Sequence, residues 1–69
     1  MGGVEKTMKQ QIEQLAQKWI AEEGALDAKM LRYYHQEDFE SAVMVLARKN
    51  TLETARRELQ EAAGLVVIP

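Results

Sequence analysis

His35, Asp38 and Ser41 are the residues whose types could do chemistry together, because a serine hydrolase uses those three side chains. Spacing of three would line them along one helical face. The same spacing argues against catalysis. A triad converges on a pocket with an oxyanion hole, whereas side chains along one small helix diverge into solvent. Each residue also has a structural role to play: Asp38 caps a helix, Ser41 is tolerated inside it, and His35 sits in a last turn, where a cation is favoured. A metal site from His35, Glu37 and Asp38 meets the same objection, since near neighbours in a chain point in different directions. Calcium loops need alternate oxygen ligands and a glycine at the turn, and no stretch matches. With no cysteine and one histidine, the usual zinc ligand sets are out of reach. No catalytic, cofactor-binding or metal-binding residue is assigned, and the chain reads as a non-enzyme.

Arg48, Lys49, Arg56 and Arg57 could form a basic patch for nucleic acid. The stretch Leu46 to Leu59, with Thr51 opening a helix and Ala55 and Leu59 buried, resembles the first half of a helix-turn-helix. That resemblance implies a reduced DNA-binding regulator, which is the alternative reading. It stops at Gly64, after which no recognition helix follows, and Glu53, Glu58 and Glu61 dilute the patch. The same region is similar to the last two helices of a ubiquitin-associated domain. It lacks that family's Met-Gly-Phe/Tyr loop, and nothing is carried over.

Contact surfaces are the better candidates. Trp19, Tyr33 and Tyr34 belong to the types enriched at binding hot spots. Trp19 falls on an apolar helical stripe and is expected to pack. Tyr33 and Tyr34 point about 100° apart on a helix, so one should be core and the other surface. Tyr33, close to Lys29 and Arg32, is the expected exposed contact. The tail Leu65-Val66-Val67-Ile68-Pro69 is apolar and strand-like. It should be buried, either between helices of its own chain or as a strand added to another chain, since free exposure would invite aggregation.

These residues need elements to hold them, and the sequence reads as all-α: four helices, one long and three shorter, with an apolar C-terminal tail. The first runs from about Val4 to Glu23, with Val4, Met8, Ile12, Leu15 and Trp19 in one stripe. Gly24 gives a left-handed stop. The second runs from Asp27, as N-cap, to His35, with Leu26, Met30, Leu31 and Tyr34 as its apolar face. The third runs from Asp38 to Lys49. Its unbroken Val43-Met44-Val45-Leu46 should be covered on more than one side, with a strand as the competing reading. Asn50-Thr51 breaks the chain again, and the fourth helix runs from Leu52 to Ala63 before Gly64.

Length and charge bound the rest. The 69 residues form one small domain, with Met1-Gly2-Gly3 as a flexible end. A chain this short buries only about 60% of its unfolded surface. Without disulfides or metal, a partner subunit is the expected staple. A net charge of −2 argues against nucleic acid as partner. No apolar run suits a membrane span, and no signal peptide is visible, so a cytoplasmic setting is expected. The expectation is a small interaction or regulatory protein, a homodimer acting on an unidentified partner protein. The expected dimer contact is Met8, Ile12, Leu15 and Trp19, with the tail residues Leu65, Val66, Val67 and Ile68 helping to cover it, and Tyr33 is the expected exposed contact for the partner protein. No cofactor is expected.

Overall fold

A computed structural model describes residues 7–68. Two long helices account for nearly all of them: α1, Met8–His35, and α2, Phe39–Ala62. The expectations for Met1–Val4 and for Pro69 lie outside the described residues. The all-α class holds, but the four-helix arrangement is overturned, because two of the three expected breaks are not breaks.

Gly24 lies inside α1. A glycine in a helix interior costs about 1 kcal/mol relative to alanine, less than long flanking turns contribute when they pack. Asn50 and Thr51 lie inside α2. Instead of capping a new helix, Thr51 turns its hydroxyl back and donates to the Ala47 carbonyl at 3.0 Å, the usual accommodation of a hydroxyl within a helix. The only proline in the chain is the last residue, so no position in either helix lacks its amide donor. Asp27 caps nothing and instead reaches across to Lys49.

The real ends are well marked. Thr7 opens α1 with a capping box: Gln10 N donates to Thr7 Oγ1 at 3.1 Å, and Thr7 N donates to Gln10 Oε1 at 3.0 Å. Asp38 opens α2 as expected, accepting from Ser41 N at 3.2 Å. Both helices close with the same pair of bonds. At the end of α1, Glu37 N donates to Tyr34 O and Asp38 N to Tyr33 O. At the end of α2, Gly64 N donates to Glu61 O and Leu65 N to Gln60 O. This is the Schellman pattern, which needs a left-handed residue after the cap. Gly64 supplies it in α2, with φ 70°, and Glu37 in α1, with φ 60°.

The turn is therefore only Gln36-Glu37-Asp38, and the two helices fold back as an antiparallel hairpin. What zips them is a heptad-like seam invisible while the chain is cut into four pieces. Ile12, Ala16, Trp19, Glu23, Leu26, Met30 and Tyr33 recur at alternating steps of four and three along α1, and every one is buried or half-buried. Ala42, Val45, Lys49, Leu52, Arg56, Leu59 and Ala63 do the same along α2 and its cap. Among the described residues the only buried apolar ones are Ala16 and Ala42, whose small side chains let the backbones approach.

Two further expectations are corrected. Val43 and Met44 are 63% and 72% exposed, so the apolar run at the start of α2 is helical but covered only where Val45 meets the seam. The tyrosines exchange roles: Tyr33 is half-buried on the seam, and Tyr34, with Leu31, faces solvent. The short-helix reading set the phase of that face wrongly by one residue.

Candidate functional site

The residues proposed for chemistry do not converge. Asp38 Oδ1 is engaged by the Ser41 backbone amide, and His35 stands edge-on to the Tyr34 ring at 6.1 Å. Among the described residues no group of three His, Cys, Asp or Glu side chains could hold a metal ion. The basic patch is also largely neutralised. Lys49 Nζ pairs with Asp27 at 3.1 Å, Arg57 with Glu53 at 3.1 Å, and Arg56 is buried against Glu23. The turn of a helix-turn-helix is absent, because Leu46 to Leu59 is continuous helix.

What the fold builds instead is a polar cluster at the seam. Arg56 is 1% exposed and Glu23 is 8% exposed. Arg56 Nε donates to Glu23 Oε2 at 2.6 Å and Nη2 donates to Glu23 Oε1 at 3.0 Å. Nη1 donates to Gln60 Oε1 at 2.8 Å and to the carbonyl of Ile68. The hydrogen bond to Glu23, reinforced by the charges of Glu23 and Glu53, raises the guanidinium above its ordinary value against the opposing effect of burial. Among the described residues no buried side-chain polar atom lacks a partner. Sequence reasoning assigned Arg56 to a surface patch and gave Glu23 no role. The seven-residue spacing from Lys49 to Arg56, matched by that from Ala16 to Glu23, was the signal that could have placed both on the seam.

This cluster also locates the tail. The chain turns at Gly64 and runs back until the Ile68 carbonyl reaches Arg56, and Ile68 N approaches Gln60 Oε1 at 3.5 Å. Tail and helices enclose a hollow of about 420 Å³ lined by Lys9, Glu13, Gln17, Gln60, Gly64, Leu65, Val66 and Ile68. The expected burial of the tail is only partial: Leu65 is half-buried, while Val66 is 85% exposed. Bonds from Arg56 and Gln60 to the Ile68 main chain help to hold it.

The remaining contact candidates divide. Ile12 and Trp19 are half-buried on the intramolecular seam, whereas Met8 and Leu15 are exposed. Tyr33 keeps one edge in a shallow hollow with Lys29, Arg32 and Gln36. A feature that sequence reasoning missed lies along the middle of the hairpin. Glu22, Ala25, Leu26, Arg48 and Leu52 line a groove of about 410 Å³. It continues into a smaller hollow lined by Leu26, Lys29, Met44, Val45 and Arg48. Comparison with protein-family models, with curated proteins and with solved structures finds no match for this chain. Among the described residues no helix is long and apolar enough to cross a membrane.

Proposed function

We propose that the chain is a non-enzymatic interaction protein that self-associates as a homodimer and acts by binding another protein. One observation carries this reading: the hairpin leaves many of its large apolar side chains uncovered. Among the described residues the buried apolar ones are two alanines, Ala16 and Ala42, whereas Met8, Leu15, Leu31, Phe39, Val43, Met44, Leu46 and others are exposed. Two helices packed on each other cover one stripe apiece. A stable small helical protein ordinarily adds a third or fourth helix to cover the rest.

Solution mass by light scattering tests the reading, on the full chain and on a chain ending at Gly64. A dimer in the full chain is the expected result. A folded monomer across the micromolar range would overturn the self-association.

A further inference from the structure

The geometry points to the groove at Leu26 and Leu52 as the surface where a second copy of this chain docks, antiparallel and face to face, completing a four-helix bundle. This inference rests on the self-association proposed above and adds which face is used and in what orientation.

The groove is self-complementary. The Asp27–Lys49 and Glu23–Arg56 pairs fix the register of the hairpin. Leu26 and Leu52 therefore lie level at the centre of the groove, and Lys29 and Arg48 lie level at one end of it. Glu22 borders the other end. Glu22 and Lys29 are seven residues apart, two turns along the same side of α1, with Leu26 between them. A two-fold axis crossing the hairpins at Leu26 sets each copy's Glu22 over the other's Lys29, and Leu26 and Leu52 over their own counterparts. An isologous contact requires this kind of pattern. The parallel alternative sets α1 over α2 at the same level, so that Lys29 meets Arg48 and like charges oppose. Among the described residues Glu22, Lys29 and Arg48 enter no ion pair within the chain. Ala25, with its small side chain, lets the second hairpin approach closely.

The face is also free for docking. From Glu13, which lines the hollow under the tail, to Glu22 the helix makes two and a half turns. Tail and groove thus lie on opposite sides of the hairpin and share no lining residue.

Sedimentation equilibrium on the full chain with Glu22→Lys, Lys29→Glu and the combined swap tests the arrangement. Each single change puts like charges together twice per dimer, and should weaken it about tenfold. The swap should restore it to within about threefold of the original. A cysteine readout is independent of these charges, since the chain has no cysteine of its own. Ala25→Cys should cross-link into a covalent dimer under mild oxidation, and Glu58→Cys, on the outer side of α2, should not. A dimer indifferent to both single changes, or equal cross-linking at the two cysteine positions, overturns this face while leaving self-association standing. Weakening without rescue by the swap overturns the antiparallel orientation. A folded monomer overturns both readings.

Discussion

Glu23 and Arg56 are 33 residues apart in the chain and meet as a two-pronged ion pair on the helix seam, at 2.6 and 3.0 Å. Neither is where its residue type usually lies. A buried pair of this kind adds little net stability over apolar residues of the same shape, because both charges lose their water. It discriminates strongly between registers. Sliding one helix by a single turn would bury Arg56 against the wrong neighbours and strand Glu23. The seam otherwise offers small or half-buried side chains at every step, which would tolerate a slip. In this hairpin the charged pair, together with Asp27–Lys49, selects the one alignment that the apolar residues leave open.

Replacing one partner should therefore be costly and replacing both should not. Arg56→Met leaves Glu23 buried without its donor and is expected to cost about 3 kcal/mol. Glu23→Leu combined with Arg56→Met should recover most or all of that loss. Urea titration followed by circular dichroism measures both. Equal losses in the single and double variants would remove the case for pairing.

Alkali should not touch this pair. The folded guanidinium lies above its ordinary value, chiefly through its hydrogen bond to Glu23. A group with a raised folded pKa contributes stability that is complete below the unfolded value, and that is lost only as pH climbs through the folded one. For Arg56 that window lies above the ordinary arginine range, in strong alkali. Stability measured from neutral to mildly alkaline pH should show no loss that Arg56→Met abolishes.

Two glycines should respond in opposite directions to alanine. Gly24 is helical, and a methyl group there meets nothing within 4 Å. Gly24→Ala should stabilise by about 1 kcal/mol. Gly64 also has open space around it, but its φ of 70° strains any side chain. Gly64→Ala should destabilise by about 1 kcal/mol. Thermal melts of the two variants check the contrast in one experiment.

Glu37 occupies at the end of α1 the position that Gly64 holds at the end of α2, with φ 60°. Glu37→Gly should relieve the left-handed strain and raise the melting temperature, corresponding to about 1 kcal/mol. A lower melting temperature would mean that the glutamate side chain contributes more than its backbone costs.

The helical class was open to sequence reading, and so were the ends that carry local chemistry. Asp38 as a cap, His35 as a last residue and Gly64 as a stop are all set within three or four residues of themselves. Gly24 and Thr51 misled for the same reason. Their local preference is to interrupt, and what overrides it is the packing of turns on the other helix, which no short window contains. Splitting the chain there hid the four-three repeat that runs unbroken through Gly24 and Asn50. With it went the assignment of Glu23, Lys49 and Arg56, which looked like ordinary surface charges once each was assigned to a short helix. The groove at Leu26 and Leu52 was hidden too, because those two leucines were placed in separate helices with no fixed register between them.

The three-residue turn has a kinetic consequence. Contacts beside it, such as those around Tyr33 and Ala42, close small loops, and each further rung adds only a few residues to a loop already shut. The hairpin should therefore form from the turn outwards and open in the reverse order. Asp27–Lys49 spans 22 residues and Glu23–Arg56 spans 33, so the second pair joins later and lets go earlier. Amide exchange should be slowest between these rungs and the turn and fastest at the far end, where Thr7 opens one helix and Gly64 closes the other.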